Sequence, residues 1–192
     1  MSPILGTLAS QFSGKSFSSF ESIQTATVGA GGASTVSFTS IPATYTHLQV
    51  RLIARSGRSD GDFGAGGLYF QFNSNYLTSL HQLRGNGSAV AAQGWTGGLN
   101  NGYIMVWVPA TGAAANTFGV GIVDILDYSN TNKNKVVRTL SGNDLNGSGY
   151  VVMNSGLWSS TSAITSITFG VTDGSGNIPQ YSQFALYGIK GS

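Results

Sequence analysis

From Glu21 onward the chain is built of short β-branched and aromatic runs cut by clusters of Gly, Asn and Ser. The runs carry a period of two rather than 3.6. Val36 and Phe38 fall on one face of a segment whose Thr35, Ser37 and Thr39 fall on the other. Leu48, Val50, Leu52 and Ala54 point one way, while Gln49, Arg51, Ile53 and Arg55 point the other. Ile167 and Phe169 keep the same phase in a later run. Such alternation marks strands with one buried and one wet face. No long amphipathic helical stripe occurs.

Eleven strands are expected, at residues 22–28, 34–41, 47–55, 68–72, 77–83, 103–108, 120–128, 135–140, 150–157, 163–171 and 182–189. Turn signals separate them, among them Gly29-Ala30-Gly31-Gly32, Gly85-Asn86-Gly87, Asn146-Gly147-Ser148-Gly149 and Asp173-Gly174-Ser175-Gly176-Asn177. Pro42 and Pro109 stand where two strands should stop, because proline cannot donate to a ladder. The fold class predicted is all-β, a two-sheet antiparallel sandwich of jelly-roll-like connection. Residues 21–192 form its single domain.

Residues 1–20 follow neither period. They place Ile4, Leu5, Leu8, Phe12, Phe17 and Phe20 among Ser, Gly and Thr. These apolar residues are too many for a freely solvated tail, so the segment reads as an extended arm that docks on its own domain or on a neighbouring subunit. The arm is the expected attachment and oligomer contact. It has no basic residue ahead of Ile4 to Ala9, unlike a secretory signal, and the chain contains no run of about 18 apolar residues that would span a membrane.

Composition narrows the chemistry. Only 8% of residues are charged, Glu21 is the sole glutamate, and cysteine is absent. Disulfides and thiolate metal sites are therefore excluded. Hydrophobic residues make up 41%, enough for a packed core. Nine basic residues against seven acids leave a net charge of +2, too small and too scattered for counterion-driven nucleic-acid binding. No nucleic-acid or membrane partner is expected.

Each catalytic pattern fails on context. Gly57-Arg58-Ser59-Asp60-Gly61 fits G-x-S-x-G after a strand, but the Gly-rich stretch that follows cannot form the helix that holds a nucleophilic serine on its strained turn. Gly14-Lys15-Ser16 lacks the earlier glycine of a phosphate loop, Ala9 standing in its place. His47 and His81 belong to no metal-binding array and are expected to be structural or surface groups. Asp60 with Asp62, and Asp173 with Asn177, match turn-stabilising side chains better than a calcium loop. Asp124 and Asp127 sit three apart and fall on opposite faces of a strand, so they do not make the paired carboxylates of a glycosidase. An inward Asp124 paired with Arg138 or Arg51 is the expected arrangement. No catalytic residue, metal ligand or cofactor is assigned, and the chain is expected not to be an enzyme.

Arg51, Arg55, Arg58 and Arg84 are the nearest approach to a basic cluster. Trp95, in a Gly-rich segment read as a loop, is the best exposed aromatic for stacking on a sugar or a partner. Arg58, Trp95, Asn100 and Asn101 are the candidate glycan or partner contacts.

Three further groups of segments carry a resemblance. They are Glu21-Ser22-Ile23-Gln24-Thr25 with residues 36–42 and 45–51; Leu83-Arg84-Gly85-Asn86-Gly87-Ser88 with Asp124-Ile125-Leu126-Asp127-Tyr128 and residues 156–167; and Phe184-Ala185-Leu186-Tyr187-Gly188-Ile189-Lys190-Gly191. Together they resemble a group of tailed-bacteriophage virion proteins over about residues 21–192. The resemblance implies a small β-sandwich on the virion exterior, as a head-decorating, cement or tail-associated component. It implies a homo-oligomer, with trimers favoured, and contacts to major capsid or tail proteins. It brings no catalytic residues. A receptor-binding module that recognises a host surface glycan is the competing expectation.

Overall fold

The computed structural model describes residues 19–59, 65–103 and 105–191. Among these residues twelve strands form, every paired neighbour antiparallel. They are β1 (Phe20–Thr27), β2 (Thr35–Phe38), β3 (His47–Ala54), β4 (Ala65–Phe72), β5 (Ser79–Gly85), β6 (Val90–Thr96), β7 (Val106–Pro109), β8 (Gly119–Ile125), β9 (Lys135–Asp144), β10 (Gly149–Trp158), β11 (Ile167–Val171) and β12 (Gln183–Ile189). All eleven expected strands are present with shifted ends; β6 is additional. The sequence from Asn86 to Gly98, full of Gly, Ala and Ser, reads as a loop, yet its centre pairs with β5 as an edge strand. Residues 163–166 leave the predicted tenth run. The Ile164 amide donates to Tyr128 O, and Asn73 Oδ1 accepts from Thr165 and Ser166. Only Phe20 of the six arm residues named above is described; Ile4, Leu5, Leu8, Phe12 and Phe17 lie outside the described residues, as does Gly14-Lys15-Ser16.

Two sheets face each other, with strand orders β1-β12-β3-β8-β9-β10-β5-β6 and β2-β11-β4-β7. The quartets β1-β12-β3-β8 and β2-β11-β4-β7 are the two sides of a jelly-roll wrap, in which each early strand pairs with a late one. Two hairpins, β5–β6 and β9–β10, are inserted into that wrap, and both extend the larger sheet. The β9–β10 turn is made by the expected Asn146-Gly147, with φ of 58° and 116°, a turn that suits the right-handed twist of its strands.

The core lies where the sheets overlap. Leu48, Val50, Leu52 and Ala54 of β3, Val36 and Phe38 of β2, and Ile167 and Phe169 of β11 are all buried, as their alternation predicts. Phe169 joins Phe70 and Phe184 across the two sheets at ring distances of 5.7 and 5.2 Å, and Phe72 meets Trp158 edge-on at 5.8 Å. Each such side chain contributes about 1.5–3 kcal/mol by leaving water.

The smaller sheet ends at β7, and its free edge needs partners. No strand supplies them; side chains of the larger sheet do. Met105 O accepts from Thr139 Oγ1 at 2.9 Å and from Asn154 Nδ2 at 2.8 Å, while the Trp107 amide donates to Ser141 Oγ at 3.0 Å. Asn154 also donates to Thr139 Oγ1 and accepts from Gln82 Nε2. These polar side chains are buried because an unpaired edge inside the molecule would cost more than their own desolvation. The consequence is an inverted pattern in β9: Thr139, Ser141 and Asn143 face in, whereas Val136 and Leu140 face out.

Candidate functional site

Three of the four contact candidates singled out from the sequence, Arg58, Asn100 and Asn101, fall at one end of the sandwich. Arg58, just after β3, bonds Thr172 Oγ1 at 3.0 Å and pairs with Asp173 Oδ2 at 3.2 Å. The Asp173 amide in turn donates to Asn101 O at 2.9 Å, and Asn100 Oδ1 accepts from the Gly102 amide at 2.8 Å. Asn100 is exposed and Asn101 half-buried. Trp95 departs from expectation. It belongs to β6 rather than to a loop, opposite Leu80 on the inward side, and meets Tyr103 edge-on at 5.7 Å. It is half-buried against the core instead of standing open on a loop. Arg58 is likewise committed to Thr172 and Asp173, so the exposed Asn100 is the freest polar group of the four.

The other candidates disperse. Ser59 is exposed, and the next element among the described residues is strand β4, not the helix a nucleophile elbow requires. His47 opens β3 and accepts from the Asp127 amide through Nδ1 at 3.0 Å, a structural role; His81 lies exposed on β5. Asp173 serves Arg58, and Asn177 reaches Gly31 O. Asp60 and Asp62 lie outside the described residues. Among the described residues no three His, Asp or Glu side chains gather as a metal site would need. Asp124 differs from expectation: it faces outward, and it accepts from Gln49 Nε2 at 2.7 Å instead of pairing with Arg138 or Arg51. Arg51 donates to Gln49 Oε1 and lies over the rings of Phe20 and Tyr187, which stack at 4.6 Å. Arg55 turns away from Arg51 and caps four carbonyls, of Thr111, Ala113, Ala114 and Thr117. Arg84 sits 5.3 Å from the centre of the Trp107 ring.

A surface that sequence reading missed is the outer face of the larger sheet. The strand registers align its residues in rows across β3, β8, β9, β10, β5 and β6. One row reads Arg51, Ile122, Leu140, Met153, Leu83, Ala92. The next reads Ile53, Val120, Gly142, Val151, Gly85, Val90. The large apolar members Ile53, Leu83, Val90, Val120, Leu140, Val151 and Met153 are between 43% and 75% exposed. Scattered exposed aliphatics are ordinary, but contiguous rows of them on one rigid sheet mark an interaction surface. A third row, Gln49, Asp124, Arg138, Ser155, His81, Gly94, is polar. Its signal in the sequence is the coexistence of aliphatics in one phase of residues 135–144 with Thr, Ser and Asn in the other.

Comparison of the chain with protein-family models, with curated proteins and with solved structures yields no match. The fold defines the class: an all-β, two-sheet antiparallel sandwich.

Proposed function

We propose that this chain is a non-enzymatic structural subunit of a tailed-bacteriophage particle, placed on the virion exterior as a capsid decoration or cement protein or as a tail-associated one. It oligomerises, and it fastens to capsid or tail proteins through its N-terminal arm. The observation that carries the reading is the broad aliphatic face on a jelly roll whose titratable side chains are few, with Glu21, His47, Arg55, Arg58, Asp127 and Lys135 among the described ones engaged in structural contacts. The sequence resemblance to phage virion proteins supplies the particle. Phe20, the last arm residue, is stacked on Tyr187 at the border of the same face, so the arm departs from the interaction surface itself.

Gold-labelled antibodies on intact particles test the proposal. Labels over the head or along the tail are expected; virions free of label refute it. A chain lacking residues 1–18 is expected to fold and to lose incorporation, and unchanged incorporation removes the arm from the mechanism.

The convergence of Arg58, Asn100 and Asn101 at one end favours a second reading, a receptor-binding tip for a host glycan. Asn100→Ala and Trp95→Ala on a glycan array separate the two. Binding that falls with Asn100 supports a tip; no binding by the unaltered protein ends it.

A further inference from the structure

We infer that the outer face of the larger sheet pairs with the same face of a second copy about a two-fold axis running along the strands between β9 and β10. This deepens the oligomeric part of the reading above and does not depend on which particle holds the chain. Its occupant follows from the registers. Rotation about such an axis keeps every row at its own height and exchanges β9 with β10 and β8 with β5. Leu140 then faces Met153 of the second copy. In the neighbouring row, Val151 faces Gly142 of the second copy and Val120 faces its Gly85. The two central valines therefore meet positions without a side chain, Val90 at the end of the row faces Ile53 of the second copy, and the row is complementary to itself, as an isologous contact demands. In the polar row Asp124 faces His81 of the second copy, an acid opposite a base.

Area is close to what a dimer needs. The six strands from β3 to β6 that overlap about this axis, about 4.8 Å apart, with seven residues rising about 3.4 Å each, give a face of roughly 700 Å². A standard interface covers about 800 Å² on each partner. The twist of the two sheets rotates them by about 30°, which concentrates the contact on the central strands β8, β9, β10 and β5. The inverted pattern of β9 has a place here too. Its outward Leu140 has apolar neighbours beside it in the sheet, Ile122 and Met153, yet stays half exposed, with nothing among the described residues covering it from above. With trimers implied by the resemblance, a two-fold contact joins two trimers into a hexamer; without them it makes a dimer.

The test is the mass of the full chain by light scattering or sedimentation. An even multiple of the 19.9 kDa chain is expected, and Leu140→Asp with Met153→Asp should halve it at unchanged circular dichroism. Should that double variant fail to fold, Gly85→Leu serves instead, because a Cβ there meets nothing nearer than 3.9 Å within its own molecule. It fills the hole that receives Val120, and should weaken self-association at least tenfold. A monomer or a trimer, or a mass that both variants leave unchanged, overturns the inference. A monomer that pairs only after removal of residues 1–18 also overturns it, and assigns the face to the chain's own arm. Gold labelling remains free to succeed or fail separately.

Discussion

The ring of Tyr45 lies against the backbone of Gly188, so that a β-carbon at Gly188 would collide with the ring. That contact aims the phenol at Glu21 Oε2, 3.0 Å away, and Lys190 Nζ reaches Glu21 Oε1 at 2.6 Å. The sole glutamate of the chain thus ties β1 to the end of β12. The Lys190 amide adds a bond to Ser19 O just before β1 begins. The arm therefore leaves from a pinned strand.

Gly188→Ala should cost about 1–3 kcal/mol, since the ring must move out of a packed position. The same substitution in a Tyr45→Ala background should cost clearly less. A denaturant double-mutant cycle measures this coupling.

Acid should loosen the same corner. Hydrogen bonds from Lys190 and Tyr45 hold the Glu21 carboxyl below its ordinary 4.5, and the Lys133 ammonium holds Asp127 below 3.8. Both groups release protons more readily folded than unfolded, so their stabilisation is complete above those ordinary values. It disappears as pH falls through the lowered ones. Stability followed from pH 6 to pH 2 should fall, and Glu21→Gln with Asp127→Asn should flatten the decline.

Lys135 is fully buried, and its ammonium donates to the carbonyls of Asn130, Lys133 and Thr161 at 2.6, 2.8 and 3.1 Å. Lys135→Met strips three carbonyls of their donor and should cost about 3 kcal/mol in urea denaturation.

Asn154 connects Gln82, Thr139 and the free edge of β7. Asn154→Leu should cost about 2–3 kcal/mol, because Gln82 and Met105 O lose a buried partner at once. Hydrogen exchange at residues 105–107 should quicken in the variant, locating the loss at that edge.

Arg55→Lys keeps the charge and discards the fork that spans four carbonyls of residues 111–117. A loss of about 1 kcal/mol is expected, with faster proteolysis inside that loop. Circular dichroism should not change.

Much of the fold was legible because period-two alternation is a local property. Val36 and Phe38, or Leu48 through Ala54, disclose their buried side without reference to any neighbour. β6 was not legible. Val90-Ala91-Ala92-Gln93-Gly94 has little strand propensity of its own, and pairing with β5 alone makes it a strand. Trp95 was misplaced for that reason, since its exposure follows from whether its segment is strand or loop. Asp124 was misjudged because its neighbour across the ladder, Gln49, belongs to a strand 75 residues away in the chain.

The amino-acid sequence by itself determined where the strands and turns lie, the poverty of charge and the absence of thiols. Only the tertiary structure decided which face of β8, β9 and β10 points inward. The physical reason is a symmetry: alternation identifies two faces but names the inner one only when a single face is apolar. In β9, Val137 shares its inward phase with Thr139, Ser141 and Asn143, while Val136 and Leu140 share the outward one. The unpaired edge of β7 broke that tie by drawing the hydrogen-bonding side chains to Met105 and Trp107, and so left the aliphatics on the surface.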